Sequence, residues 1–156
     1  MEETVADPAG TDAIIAEVLG DRPDVVAVLD GARQASWAAA GGRRRELVRV
    51  RGGRRRGGAG EGGVATPGIV LGPVTAHDVA TWPTHPAFDE LDRAALAFAE
   101  QWVVDVAGMT DELVAPLRDA LGDDGLSTFT NALMVIEQRM RLRQTWERLG
   151  LAGDRP

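Results

Sequence analysis

The chain has 156 residues and a mass of 16.6 kDa, and its 17 basic and 24 acidic side chains give a formal charge of −7. A chain of this length can bury roughly two thirds of its unfolded surface in one domain, so its core needs no disulfide or metal. Cysteine is absent, which excludes thiol catalysis, thiolate metal sites and disulfides. Two histidines are too few for an all-histidine zinc site within one chain.

All basic side chains are arginine, and they are unevenly distributed. Residues 41–63 contain eight arginines and two glutamates, a net charge of +6, inside a chain that is otherwise acidic. No aromatic residue lies between these arginines, and the sequence has no helix-turn-helix or zinc pattern. These features argue against nucleic acid as a partner.

No segment approaches the roughly 18 consecutive apolar residues of a membrane span. Residues 1–20 are acidic and lack the basic region of a signal peptide. The sequence therefore predicts a cytoplasmic protein without membrane contact.

The first half of the chain predicts two helices after a flexible tail at residues 1–10. Apolar residues recur at helical spacing from Thr11 to Gly20, and again from Asp24, which can cap the second helix, to Ala40. The arginine-rich segment 43–51 fits a short helix or a strand equally well.

Glycine fills seven of the twelve positions from Gly52 to Gly63. Because glycine loses so much backbone entropy on folding, this density predicts a mobile loop, which we extend to residue 68. A short helix follows as far as Trp82, with Thr75 and Asp78 spaced as a capping box.

The second half predicts three more helices. The first is capped by Asp89 and extends to about Val106, and the second extends from Thr110 to Gly122. The last begins at Asp123 or the next residue and ends near Leu149, and residues 152–156 form a tail. The predicted fold class is all-α: one domain over residues 11–151, a bundle of about six or seven helices that forms homo-oligomers (a dimer, trimer or hexamer).

Four blocks of this sequence resemble the alkylhydroperoxidase D-like proteins, the carboxymuconolactone decarboxylase superfamily. The segment RELVRVR at 45–51 resembles the family signature R-E-L-v-x-L-R. Three further segments follow in the order expected for the family: FDELDRAALA at 88–97, MTDEL at 109–113 and RQTWERLGL at 143–151. The resemblance covers roughly residues 25–151 and implies an oligomeric helical scaffold.

The resemblance also shows what this chain lacks. In active members a Cys-x-x-Cys pair begins a helix twelve residues after the signature glutamate, and a histidine follows; a helix N-terminus there stabilises the reactive thiolate. The corresponding positions in this chain are Gly58, Glu61 and about Ala65. Peroxidase activity is therefore not implied, and Glu46 and Arg51 are what remains of that site.

Three side chains are candidates for proton transfer: His85, His77 and Glu46. The histidines have the only unperturbed pKa values near neutrality, and His85 lies in a loop constrained by prolines. The alternative for Glu46 is a solvated ion pair with a neighbouring arginine, and that for His77 is an ordinary surface position.

Candidates for binding a substrate are an arginine beside the signature glutamate, two of the arginines that crowd the last helix, and two tryptophans: Arg51, Arg141, Arg143, Trp82 and Trp102. The tryptophans could instead be core or subunit-interface anchors. Glu100 and Asp105 could line a ligand cavity, but we expect them on a solvent-exposed helix face.

Two functions are consistent with this pattern. The first is a thiol-free enzyme, needing neither cofactor nor metal, that decarboxylates, isomerises or cyclises a small carbonyl or carboxylate compound by proton transfer, as in a biosynthetic tailoring step. The second is a non-catalytic relic of the same scaffold that binds a small molecule or has a structural role.

Overall fold

The computed structural model describes residues 9–39, 42–55, 71 and 74–151. Within these residues the chain forms six α-helices and no strand, which confirms the all-α prediction. The helices are α1 (Ala9–Val18), α2 (Pro23–Ala39), α3 (Gly42–Arg55), α4 (Ala76–Ala80), α5 (Glu90–Val104) and α6 (Asp111–Arg148). A 3-10 turn at Val106–Gly108 connects α5 to α6.

Two predicted helix starts are confirmed in atomic detail. Thr75 caps α4 by accepting a hydrogen bond from the Asp78 backbone N–H, while the Asp78 side chain accepts from the Thr75 backbone N–H. Asp89 caps α5 by accepting from the Asp92 N–H at 2.6 Å. Each such cap satisfies donors that the first helical turn leaves unpaired and contributes about 1 kcal/mol.

Glycine residues lie at the interruption of α6 and directly after its end. Gly122 has φ 70° and ψ 173°, so the helix is interrupted there, at the residue where the sequence predicted one helix to end. After Arg148 the helix ends in a Schellman motif, in which Gly150 has φ 65°, its N–H donates to Glu147 and the Leu151 N–H donates to Trp146. Both φ values lie in the left-handed region, which glycine adopts without a Cβ penalty.

Several helix boundaries differ from the sequence-based predictions, among them the end of α4, at Ala80 instead of Trp82. The segment after residue 42, for which helix and strand were open, is helical, and it continues through Gly52 to Arg55, where a loop was expected. The remainder of that expected loop, up to residue 68, lies outside the described residues. The helix α1 already begins at Ala9, inside the expected tail, and α5 ends at Val104 because Asp105 caps the 3-10 turn.

The helix α6 is the centre of the fold, since it packs against α1, α2, α3 and α5. The apolar faces of α3, α5 and α6 meet in one core that includes Leu47, Leu96, Leu117, Phe129 and Leu133. Burying an aliphatic side chain of this size contributes about 1.5–3 kcal/mol. The core thus fixes α3 and α5 side by side on α6.

Polar contacts join the beginning of α3 to the beginning of α5. The Asp92 side chain is 1% exposed and lies 3.0 Å from the Arg43 guanidinium and 3.5 Å from that of Arg44. Arg43 also donates to the backbone carbonyls of Leu71, at 2.5 Å, and Ala87, at 3.2 Å. One guanidinium therefore connects α3, the loop before α5 and α5 itself.

Candidate functional site

The signature glutamate lies inside the protein. Glu46 is fully buried, and its two carboxylate oxygens accept hydrogen bonds from the Arg49 side chain, which is also buried, at 2.6 and 3.1 Å. The neighbouring Arg45 is buried as well, and burial lowers its pKa, an effect that the Glu46 charge opposes. The alternative expected for Glu46 from its sequence was a solvated ion pair. The structure shows an ion pair with Arg49, but the pair is buried and not solvated.

A small cavity lies where α3, α5 and α6 meet, and neither Glu46 nor Arg49 is among its lining residues. Its volume is about 20 Å³, enough for one water molecule. Most of its wall is apolar, with three charged side chains among the lining residues: Val48, Arg51, Gly52, Ala99, Glu100, Val103, Leu133, Glu137 and Met140. We call it the Arg51–Glu100 cavity.

Glu100 is the centre of the polar contacts at this cavity. Its Oε1 accepts from Arg51 Nε at 2.5 Å and from the Trp82 indole N–H at 3.1 Å. Arg51 and Trp82, two of the predicted substrate-binding residues, therefore meet on one carboxylate although 31 positions of the sequence separate them. The Glu100 side chain is only 24% exposed, so the solvent-exposed face expected for it is incorrect.

A second carboxylate faces the same cavity from α6. Glu137 is buried and accepts from the Arg141 guanidinium at 2.6 and 3.0 Å. The Arg141 side chain is 61% exposed and thus lies at the outer edge of the site. Arg141 is the third predicted substrate-binding residue in this region.

Trp82 also borders an open cleft on the other side of Glu100. The cleft has a volume of about 310 Å³ and is lined by Trp82, Ala97, Glu100, Gln101, Val104 and Leu113. Glu100 thus separates the small cavity from a space large enough for a single-ring organic molecule.

The two histidines lie elsewhere. His77 is exposed on α4. His85 Nδ1 accepts from the Ala87 N–H at 3.3 Å, its Nε2 lies 3.4 Å from Asp78 Oδ1, and its ring packs edge-on against Phe88. Both ring nitrogens of His85 are thus engaged in the loop, and neither histidine lines the cavity or the cleft.

The remaining two candidates have contacts of other kinds. Trp102 packs against the core and stacks on Phe98 with the ring centres 6.2 Å apart, which fits the anchor role that the sequence left open for it. Arg143 donates to Glu147 at 2.8 Å and to the Thr11 hydroxyl at 3.4 Å, so it lies at the contact between α6 and α1.

Glu137 was not singled out in the sequence, and Glu100 was considered but placed on the exposed face. The only signal in the sequence was the spacing of Glu100 from Phe98 and Trp102 on one amphipathic helix, and this spacing does not show which residues cover Glu100.

Across residues 9–39, 42–55, 71 and 74–151, no group of three or more histidine or carboxylate side chains could hold a metal ion. The helices described for this chain include none long and apolar enough to cross a membrane.

No protein-family profile, curated protein or solved structure matches this chain.

Proposed function

We propose that this protein binds a small organic molecule at the cleft beside Trp82, with the head group of the ligand reaching the Glu100–Arg51 pair. The observation that carries the proposal is the convergence of Arg51 and Trp82 on Glu100, at the wall between an apolar cavity and an open cleft. Ligand sites typically combine apolar walls with a few polar groups of this kind.

The ligand class follows from the free hydrogen-bonding capacity of Arg51. Its Nε is committed to Glu100, while its two terminal amino groups make no hydrogen bond to the described residues. A guanidinium with donors to spare is suited to a carboxylate or carbonyl oxygen. The ligand is thus a compound with an apolar body and such an oxygen.

The protein is a helical relative of the alkylhydroperoxidase D-like scaffold without its thiol chemistry, and it forms a homo-oligomer. The resemblance of residues 45–51 to the family signature supports the scaffold. Exposed apolar side chains at two chain segments support association: Val104, Val106, Leu149 and Leu151. Sedimentation of the purified protein gives the number of subunits, and a monomer at all concentrations would contradict this part.

Proton transfer on the bound molecule is a second candidate function. It is favoured by the position of the Glu100 carboxylate, which lines the cleft proposed for the ligand and pairs with the Arg51 guanidinium. Glu100 would remove a proton from the carbon next to a carbonyl group, and Arg51 would stabilise the negative charge that develops on oxygen.

Three compounds with the same ring and different head groups test the binding proposal: benzoate, acetophenone and benzylamine. We expect calorimetric titration to detect benzoate and acetophenone but not benzylamine, and Arg51→Gln to weaken benzoate binding by about tenfold or more. Arg118→Gln is the matched control, because Arg118 forms an exposed ion pair on α6. The proposal fails if none of the compounds binds at about 10 mM, or if all three bind equally.

Acetophenone also tests the second candidate. In D₂O, proton transfer by the protein would replace the methyl protons of acetophenone with deuterium faster than buffer does, as followed by NMR. Glu100→Gln should abolish the excess rate and retain binding. Binding without excess exchange would leave the protein a binding protein only.

A further inference from the structure

A larger groove lies between α1, α2 and α6. Its volume is about 600 Å³, within the range of small-molecule sites. Its lining combines apolar residues with two carboxylates and two guanidiniums; the lining residues are Asp12, Ile15, Ala16, Gly20, Pro23, Val26, Ala27, Asp30, Arg33 and Arg139.

The four charged side chains form a row of alternating sign. Arg139, which is buried, donates to Asp12 Oδ1. Arg33 donates to Asp30 Oδ1 through Nε at 3.0 Å and through one terminal amino group at 2.6 Å. Asp12 and Arg33 are the inner members of the row, and their contact is long, with Asp12 Oδ2 3.8 Å from Arg33 Nε.

This long contact leaves one acceptor and one donor available side by side. Asp12 Oδ2 accepts no hydrogen bond from the described residues, and the second terminal amino group of Arg33 donates none to them. Asp12 is 45% exposed and Arg33 26% exposed, so a ligand can reach both. The hydrogen bond from Arg33 lowers the pKa of Asp30.

A ligand that pairs with both groups must carry a positive and a negative charge close together. An ammonium would bind Asp12 Oδ2, and a carboxylate would bind the free amino group of Arg33. The apolar lining residues Ile15, Ala16 and Val26 would contact an aliphatic side chain of the ligand. A singly charged molecule would bind only one of the two groups and leave the other unpaired.

We propose that this groove is a second binding site, for a zwitterionic small molecule with an aliphatic body, the chemistry of an apolar α-amino acid. The site is separate from the Glu100–Arg51 pair, since no residue lines both the groove and the Arg51–Glu100 cavity. It does not depend on the function proposed for that cavity.

L-Leucine and two analogues that each lack one charge test the proposal: 4-methylpentanoate, without the ammonium, and 3-methylbutylamine, without the carboxylate. We expect calorimetric titration of the full chain to show leucine binding at least about tenfold more tightly than either analogue. Equal binding of leucine and one analogue, or no leucine binding at about 10 mM, would overturn the proposal.

Two variants locate the site. Arg33→Gln and Asp12→Asn should each weaken leucine binding by about tenfold, and Asp123→Asn, which removes an exposed ion pair far along α6, should leave it unchanged. If Asp12→Asn disrupts the fold, leucine binding to Arg33→Gln decides the test. Arg33→Gln should fold, because the two carboxylates that Arg33 contacts are both partly exposed. Leucine binding that is the same in Arg33→Gln and in Asp123→Asn would contradict a site in this groove.

Discussion

Glu46 and Arg49 form an ion pair one turn apart on α3, with both side chains withdrawn from solvent. Such a pair costs desolvation energy for both ions, which their attraction offsets only while both are present. Replacing Glu46 removes a buried negative charge that lies beside two buried guanidiniums, those of Arg49 and Arg45.

We therefore expect Glu46→Gln to lower the free energy of unfolding by about 3–5 kcal/mol, measured by urea denaturation. The double replacement Glu46→Leu with Arg49→Met should recover part of this loss, since it removes both charges. Asp123→Asn is the control, and its cost should be below about 1 kcal/mol because the pair with Arg118 is exposed. Equal costs for Glu46→Gln and Asp123→Asn would show that burial of the pair does not matter.

Two helical glycines predict different outcomes for substitution by alanine. At Gly31 an added Cβ meets nothing within 4 Å, so Gly31→Ala should stabilise the protein by about 0.5–1 kcal/mol through helix propensity. At Gly52 an added Cβ lies 2.7 Å from the terminal methyl of Met140, which must move. The midpoint temperature of thermal unfolding should therefore be lower for Gly52→Ala than for Gly31→Ala. A higher midpoint for Gly52→Ala would contradict the close approach of α3 and α6.

Gly122 and Gly150 distinguish backbone strain from crowding, because an added Cβ meets nothing within 4 Å at either residue. Gly122 has an extended ψ of 173°, a region that other residues essentially do not enter, so Gly122→Ala should cost about 1–3 kcal/mol. Gly150→Ala should cost about 1 kcal/mol, as expected for the left-handed region. Chemical denaturation of both variants checks the order, and a neutral Gly122→Ala would mean that α6 can continue without its break.

The Asp78 carboxylate should account for part of the loss of folding stability at acidic pH. Hydrogen bonds from the Thr75 backbone N–H and then the Thr75 hydroxyl lower the pKa of Asp78, and the nearby His85 and His77 lower it further. Because the folded-state pKa is the lower one, this stabilisation is present above the unfolded pKa of about 3.9 and is lost as the pH falls through the folded value.

The melting temperature of Asp78→Asn should accordingly fall less than that of the unchanged protein between about pH 5 and pH 2. Thr75→Val removes the hydroxyl, which donates to Asp78 and accepts from its N–H, but keeps the backbone donor, so it should give an intermediate slope. Parallel curves for the unchanged protein and Asp78→Asn would assign the acid sensitivity to other carboxylates.

Local chemistry accounts for the parts of the fold that the sequence predicted well. The caps formed by Thr75 with Asp78 and by Asp89 with Asp92 involve residues three positions apart, and the break at Gly122 needs only its own backbone. Such features can be identified without knowing the neighbours in space.

The site depended on neighbours that the sequence does not reveal. Glu100 has the spacing of a solvent-exposed face, yet Trp82 and Arg51 arrive from two other segments and cover it. Gly52 belongs to a glycine-rich stretch that predicts a loop, yet it is helical where α3 packs closely on Met140. Tertiary packing overrides local propensity in both cases.

The three contacts of Arg43 also set an order of events during translation. All of its partners lie later in the chain, and Asp92 follows it by 49 positions. At about 5–20 residues per second, the ribosome needs roughly two to ten seconds to synthesise that interval. For that time the nascent chain carries the cationic segment of α3 without its anionic partner on α5, beside the polyanionic RNA of the ribosome.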